Sequence, residues 1–198
     1  MDTGNDSSHN EGGVTIRRLR LLEVGVFARL RAQIEREAAH LAVAGGERKE
    51  GIPFILLRIF INRRRMFTLV AEQNGALLGF ITVLFPKFRK LRKNAYLTVS
   101  VRQSERGRGI GTKLITHAEA FARERGARRL ELDVFAKNEG ALRLYEKLGF
   151  EHEGRRRQAV DEGDGYDDII FMGKLLETHG EHRVASSKTS GAASRAYM

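Results

Sequence analysis

VSVRQSERGRGIGTKL, from Val99 to Leu114, is the stretch that best explains the rest of this chain. It begins as a short β-prone run, passes through an Arg/Gly loop and ends in the start of an amphipathic helix. The glycines of the loop, Gly107, Gly109 and Gly111, allow the backbone to approach a ligand closely. The loop leads into a helix N-terminus, whose free N–H groups and dipole favour an anion. This pattern predicts a cradle for a phosphate group.

Two arginines of the same loop, Arg106 and Arg108, add guanidinium donors that suit phosphate. The loop does not match other phosphate-binding loops well. In a P-loop the last glycine is followed directly by Lys-Ser or Lys-Thr. Here Gly111 is followed by Thr112-Lys113, which is the reverse order. A dinucleotide-binding unit would put an acidic residue about 20 residues on, where Glu131 stands, but no further βαβ units follow. A plain strand-to-helix turn is the remaining alternative for the loop alone.

A second stretch, NEGALRLYEKLGF from Asn138 to Phe150, follows after a predicted helix and strand. It resembles the second signature of the GCN5-related N-acetyltransferases, the GNAT superfamily. The loop from Arg106 to Gly111 resembles the first signature of that family, Arg or Gln followed by x-x-Gly-x-Gly. The resemblance covers about Val14 to Leu176 and implies an α+β GNAT fold. In that fold a mixed, mostly antiparallel central sheet splays open between its fourth and fifth strands, with helices on both faces.

The resemblance implies an N-acetyltransferase that uses acetyl-CoA as acyl donor. The cofactor would lie between the predicted strands Ala95–Val101 and Leu130–Val134, and the amine would attack directly in a ternary complex. Tyr145 matches the position whose phenol protonates the departing thiolate; the alternative is a tyrosine that only packs on its helix. The implied cofactor contacts are Val99 and Val101 for the acetyl and pantetheine groups, Arg106, Gly107, Arg108, Gly109, Ile110, Gly111 and Thr112 for the pyrophosphate, and Asn138 for the pantetheine arm.

The general base is less clearly indicated. Many relatives carry a glutamate on the fourth strand, but Ala95–Val101 contains no carboxylate. Asp133, on the next strand, matches a glutamate of relatives that acetylate protein N-termini, and its shorter side chain would act through water. Glu131 shares its face but lies further from the loop. For both residues, an ordinary solvent-facing position on a strand explains the sequence as well as a catalytic role does.

Because the sequence offers only weak candidates for the general base, it also indicates which kind of amine is acetylated. Deprotonating a lysine amine at pH 7 costs roughly 4.6 kcal/mol, whereas an α-amine costs only about 1 kcal/mol. We therefore expect an α-amine, first of a small molecule or amino acid and second of a protein N-terminus, including that of a ribosomal protein. The acidic segment Asp161–Asp168 is either a solvated turn or an attraction for a cationic amine. A non-catalytic module that binds acyl-CoA or docks on nucleic acid is the alternative from another class.

Composition limits the other possibilities. The 198 residues suit one domain, and the absence of cysteine excludes disulfides, thiolate metal sites and a cysteine nucleophile. The six histidines show no metal-ligand spacing, so no metal is assigned. With no membrane-spanning apolar run and no signal peptide, the expected location is the cytoplasm, without a membrane partner. A homodimer is compatible with the family resemblance.

The formal net charge is +10, which indicates either a solvated basic surface or attraction to anions such as CoA. The basic run Pro86–Lys93 is interpreted as a solvated loop, with a docking patch as the alternative. Nucleic acid is not favoured as a partner, because no basic face interleaved with aromatic residues is evident.

The remaining segments complete the predicted organisation. Residues 1–13 are predicted to be disordered, 14–176 to form the N-acetyltransferase domain, and 177–198 to form a mobile tail. Leu22–Val43 is predicted to be a helix, and Asn74-Gly75 the turn of a hairpin. Ile52–Arg65 is predicted to be a second helix, which the family would place over the acceptor site. Its apolar surface is expected to pack in the core, with an acceptor pocket or partner contact as the alternative.

Overall fold

A computed structural model describes residues 13–37, 51–62 and 64–176 of the chain. The predicted disordered segment apart from Gly13, the predicted tail and residues 38–43 of the first predicted helix lie outside this described part. The strands are β1 (Thr15–Arg18), β2 (Met66–Gln73), β3 (Ala76–Leu84), β4 (Asn94–Val101), β5 (Arg129–Phe135), β6 (Glu151–Asp161) and β7 (Tyr166–Leu175). The α-helices are α1 (Val24–Glu37), α2 (Ile52–Ile61), α3 (Ile110–Glu124) and α4 (Glu139–Lys147).

The strands form one seven-stranded sheet in the order β1-β2-β3-β4-β5-β7-β6. Every neighbouring pair is antiparallel except β4 and β5, which run parallel. The predicted mixed, mostly antiparallel sheet is therefore confirmed. The single parallel pair falls where α3 connects β4 to β5, since a parallel connection needs a crossover element.

Helices cover both faces of the sheet, as predicted. On one face α3 buries Leu114 and Ile115 against strand residues such as Leu97, Leu130 and Met172. On the other face α1 packs a separate cluster formed by Phe27, Leu30, Ile34, Val70, Leu77 and Phe80. The burial of these two apolar layers is the main contribution to the stability of the domain.

Local signals explain several element boundaries. Asn74 and Gly75 both have positive φ, 50° and 77°, as the two-residue turn of the β2–β3 hairpin requires. Asn138 caps α4 by accepting a hydrogen bond from the Ala141 N–H at 3.2 Å. These two turns connect the elements as the sequence predicts.

Helix α2 forms as predicted, but its apolar side chains are not all buried in the core. Ile55 is buried, whereas Phe54, Leu57 and Ile61 are 52%, 53% and 67% exposed. The expectation of core packing is therefore wrong for these three exposed residues of α2, a helix that packs beside α1. Within the described part of the chain, no helix combines the length and apolarity that crossing a bilayer requires.

Candidate active site

The central feature of the site is a cleft between β4 and β5. These strands pair only at Asn94–Arg129, Ala95–Leu130 and Tyr96–Glu131. Beyond that point β4 stays paired with β3 up to Val101, and β5 stays paired with β7 up to Phe135. The facing edges of β4 and β5 thus separate and leave backbone groups free to bind a ligand. Val99 and Val101 lie on this open edge.

The glycine loop lies at the open end of the cleft. Gly107 and Gly109 have φ values of 77° and 75°, and a Cβ atom on either would meet no atom within 4 Å. Gly109 is the N-cap of α3, and no side chain caps this helix. The first helical hydrogen bond runs from the Lys113 N–H to the Gly109 carbonyl at 3.0 Å. The N–H groups of Ile110, Gly111 and Thr112 therefore point out of the helix, as an anion site requires.

The third glycine of the loop has a different role. A Cβ atom on Gly111 would lie 3.0 Å from Cδ2 of Leu144 on α4. Gly111 thus allows the N-terminus of α3 to approach α4 closely, which brings the loop next to the helix that carries Tyr145. The sequence pattern alone could not separate this packing role from close approach to a ligand.

The two loop arginines are held by other parts of the chain. The guanidinium of Arg108 forms an ion pair with Glu105 and donates to Oε1 of Gln73 at 3.1 Å. Nε of Arg106 donates to the Val101 carbonyl at 3.4 Å. Arg108 in particular has a carboxylate partner already, so this loop offers an anion backbone N–H groups more than free positive charge.

Tyr145 projects from α4 into the protein and is only 7% exposed. Its ring packs against Phe150 with a centroid distance of 5.9 Å. Burial and, to a smaller extent, the charge of Asp133 raise the pKa of the Tyr145 phenol to about 12. The hydroxyl has no hydrogen-bond partner among the described residues, and the raised pKa means that it is protonated at neutral pH.

Asp133 lies on the separated part of β5 and is an exposed residue. The surrounding protein still removes part of its hydration, which raises the pKa of Asp133; its own N–H and the charge of Arg156 act in the opposite direction. Glu131 is placed differently, because its carboxylate accepts hydrogen bonds from Asn94 at 2.9 Å and Arg129 at 2.7 Å. Of the two acidic candidates on β5, Glu131 is held by partners at the paired part of the strand, whereas Asp133 lies on the separated part.

The other predicted residues have structural partners as well. The Oδ1 atom of Asn138 is used in capping α4, which leaves its amide nitrogen for a ligand. In the acidic turn, Asp167 is buried and accepts N–H donors from Lys137 and Asp168. Glu162 pairs with the side chain of Lys137, and Asp168 pairs with Arg155. The interpretation of this segment as a solvated turn is therefore wrong for Asp167, and two of its five carboxylates, Glu162 and Asp168, already have cationic partners.

The sequence pattern of the acetyltransferase (GNAT) family matches residues 32–150. Streptothricin acetyltransferase of Streptomyces lavendulae is 34% identical over 117 residues, covering 58% of this chain and 52% of that protein. The ribosomal protein bS18-alanine N-acetyltransferase of Escherichia coli strain K12 is 33% identical over 101 residues, covering 50% of this chain and 65% of that enzyme. Across five such curated relatives, the matched stretches span 38% to 66% of the relatives' own lengths.

Solved structures agree on the fold. The structure of yncA from Salmonella typhimurium with its cofactor acetyl-CoA superimposes with a TM-score of 0.75 at 20% identity, covering 87% of this chain and 99% of that one. A GNAT-family acetyltransferase from Streptococcus pneumoniae gives a TM-score of 0.76 at 23% identity, covering 83% and 100%. At these identities the likeness shows the fold alone, and it confirms the α+β architecture with its mixed sheet.

Proposed function

Because the chain belongs to the acetyltransferase (GNAT) family, we propose that it is an acetyl-CoA-dependent N-acetyltransferase acting on a primary amine. The observation that carries this proposal is the separation of β4 from β5 after Tyr96 and Glu131, beside the uncapped N-terminus of α3. The described residues fit an acyl-CoA, because the glycine loop leaves open space and the facing strand edges keep free backbone groups.

Binding would use the backbone more than side chains. The N–H groups from Gly107 to Thr112 would hold the pyrophosphate, as helix N-termini do in other anion sites. The backbones of Val99 and Val101 would hold the acetyl carbonyl and the pantetheine arm. The free amide nitrogen of Asn138 would contact the same arm. When bound, acetyl-CoA supplies an acetyl group activated as a thioester.

Tyr145 is proposed as the general acid. A thiol ionises near pKa ~8.5, well below the phenol of Tyr145, whose pKa is about 12. The phenol is therefore protonated at neutral pH and can donate a hydrogen bond to the negative charge that develops on the departing sulfur. Its ring is fixed by contact with Phe150.

Asp133 is proposed as the general base. It would take the proton of the attacking amine through a water molecule, since its side chain is short. A carboxylate is a weak base for a lysine amine, because the difference in pKa is about 6 units. An α-amine, with pKa near 7.8, is already partly neutral at pH 7 and needs much less help.

Two acceptor classes carry an α-amine or another weakly basic amine. A small molecule or amino acid is our first proposal, and the relative named streptothricin acetyltransferase supports it. A protein N-terminus is the second, and the relative that acts on the alanine of ribosomal protein bS18 supports that one. We place the reaction in the cytoplasm, which the absence of cysteine fits. A homodimer stays a prediction.

The test is release of CoA from acetyl-CoA in the presence of amino acids, polyamines, aminoglycosides and short peptides. Because the chain has no cysteine, a thiol reagent reports only the CoA that is released. We expect turnover with acceptors that carry an α-amine. Tyr145→Phe should lower kcat by about 100-fold, while calorimetry shows an unchanged affinity for acetyl-CoA.

A clear negative result would be tight acetyl-CoA binding with no turnover of any acceptor and no difference between Tyr145→Phe and the wild type. That outcome would contradict an enzyme and favour a module that binds acyl-CoA without catalysis. Loss of acetyl-CoA binding itself in Tyr145→Phe would instead contradict the assigned role of the phenol.

A further inference from the structure

The end of the sheet opposite the cleft gathers three basic segments. The Phe85 N–H donates to the Arg65 carbonyl at 2.8 Å, and the Arg128 N–H donates to the Lys93 carbonyl at 2.7 Å. These bonds join segments 64–65, 86–93 and 125–128 into one surface, here called the basic end. The segments contain no Asp or Glu. Their cationic side chains are Arg64, Arg65, Lys87, Arg89, Lys90, Arg92, Lys93, Arg125 and Arg128.

The charge of the central segment is exposed and uncompensated. Every residue from 87 to 93 is exposed to solvent. Within the described part of the chain, none of the five cations of this segment contacts a carboxylate. The acyl-CoA cradle cannot account for this charge, because it lies at the C-terminal end of β4 and the basic end lies at the N-terminal end of that strand. A cluster of like charges at this density attracts a polyanion.

An aromatic side chain stands among these charges. Phe88 is 71% exposed and lies between Lys87 and Arg89 in the sequence. Leu91, 47% exposed, follows on the same short turn, where its N–H donates to the Phe88 carbonyl at 3.0 Å. Exposed aromatic rings flanked by cations are the elements that bind unpaired bases and their phosphates.

We propose that the basic end binds nucleic acid, with the cations on the phosphates and Phe88 stacked on an unpaired base. Six of the nine cations are arginines, whose planar fork suits phosphate oxygens. Binding to an anionic membrane commonly uses one amphipathic helix, whereas this surface is built from three loops. The exposed ring thus supplies the aromatic element that the sequence alone did not reveal.

This surface is independent of the acetyl-transfer site. Because the cleft and the basic end lie at opposite ends of the sheet, acetyl-CoA and nucleic acid should bind at the same time. Saturating acetyl-CoA is expected to change the affinity for nucleic acid by less than about twofold.

The test measures fluorescence anisotropy of a labelled single-stranded RNA of about 20 nucleotides, of mixed sequence, titrated with the full chain. Binding should weaken steeply as salt rises from about 50 to 200 mM. The triple variant Lys87→Gln, Arg89→Gln, Lys90→Gln should weaken binding about tenfold or more and lower the salt slope by about 2, because it removes three contacts to phosphates.

The matched control is the triple variant Arg143→Gln, Lys147→Gln, Arg157→Gln, which removes three exposed cations elsewhere on the domain. The control removes the same total charge, so it should leave the affinity within about threefold of the wild type. Equal losses in the two triple variants would overturn the proposal, because they would show a non-specific effect of net charge. Absence of RNA binding would overturn it too, as would binding to phosphatidylserine vesicles in preference to RNA.

A second pair of variants tests the aromatic contact. Phe88→Ala should weaken RNA binding about fivefold or more through the loss of base stacking. Leu91→Ala, on the same turn, should stay within about twofold, because an aliphatic side chain cannot stack. Equal losses at both positions would contradict stacking and overturn the assignment of Phe88.

Discussion

The two ends of α3 present very different surfaces to an anion. At the N-terminal end, Gly109 leaves the helix uncapped, and the nearby Arg108 is paired with Glu105. At the C-terminal end, Arg125 stacks on the rings of Phe67 and Phe121 at 4.1 and 4.7 Å and joins a surface whose three segments contain no acid. One end offers backbone dipoles in a shaped loop, and the other offers side-chain charge on exposed loops.

The difference shows why net charge is a poor guide to the cofactor site. Backbone N–H groups at a helix N-terminus bind one phosphate group in a fixed geometry, and they do so without a net charge. Side-chain cations on loops bind an extended polyanion with little geometric demand and strong dependence on salt. The +10 charge of the chain therefore bears more on the basic end than on the acyl-CoA cradle.

The largest effect is expected from two glycines at opposite ends of α3. Gly109 and Gly126 have similar positive φ values, 75° and 79°, and both have open space around a Cβ atom. Valine at either position should cost similar stability, about 1 to 2 kcal/mol, because both backbones are left-handed. Only Gly109→Val should weaken acetyl-CoA binding, by about 100-fold, since it fills and distorts the cradle.

Calorimetry with acetyl-CoA and thermal melts of both variants would make this comparison. Gly126→Val is the control for the loss of stability alone. A similar loss of affinity in the two variants would contradict the cradle, because it would show that the affinity follows the stability of α3 and not the shape of the loop.

The next effect concerns the two carboxylates of β5. Asp133→Asn should lower kcat about 30-fold at neutral pH, because it removes the proposed general base. Glu131→Gln should change kcat little, since Glu131 is bound to Asn94 and Arg129 at the closed part of the cleft. Measuring kcat of both variants with the best acceptor would show whether the carboxylate that matters lies on the open or on the closed part of the cleft.

The pH profile sharpens this prediction. Asp133 must be deprotonated to act, and desolvation raises its pKa, so activity should fall on acidification at a higher pH than for an ordinary aspartate. In Asp133→Asn, the fall in activity that comes from protonation of Asp133 should disappear. Only the fall that comes from protonation of the acceptor amine should remain. An unchanged profile in the variant would mean that another group serves as the base.

Much of the fold was predictable because its signals are local. The Asn74-Gly75 turn, the Asn138 cap and the glycine loop before α3 each depend on a few adjacent residues. The open cleft followed from the family resemblance, not from periodicity. The α2 face was predicted wrongly, because an apolar helix pattern does not tell which sides the fold will cover.

The parts that could not be predicted depend on contacts between distant segments. The ion pair that ties Arg108 to Glu105, together with the hydrogen bond to Gln73, removes most of its free charge, and Gln73 is far away in sequence. The basic end likewise requires residues 64–65, 86–93 and 125–128 to meet. No sequence window contains these segments together, so Pro86–Lys93 looked like an isolated solvated loop.

A smaller effect is expected in the stability of the protein at alkaline pH. Tyrosine ionises near pKa ~10 when unfolded, whereas the pKa of Tyr145 is about 12 in the folded state. The stability that the buried neutral phenol contributes is fully present below about pH 10 and is lost as the pH rises towards about 12. Between about pH 9 and 11, the wild type should lose about 1 kcal/mol more than Tyr145→Phe.

Urea unfolding of the two proteins across this range would measure the difference. Phe88→Ala, at the basic end, should follow the wild type, because it leaves Tyr145 in place. Parallel curves for the wild type and Tyr145→Phe would show that the phenol is hydrated in the folded state, which contradicts its assignment as a buried acid.

The smallest effect is expected at Arg108. Because its guanidinium is bound to Glu105 and Gln73, Arg108→Gln should weaken acetyl-CoA binding by less than about threefold, as exposed ion pairs contribute little. Arg89→Gln, at the basic end, is the matched loss of one charge and should leave acetyl-CoA binding unchanged. Calorimetry at low and high salt would separate the two. A loss of tenfold or more in Arg108→Gln, sensitive to salt, would mean that the arginine leaves Glu105 for a phosphate. The cradle would then depend on side-chain charge as the basic end does, and the contrast between the two ends of α3 would fail.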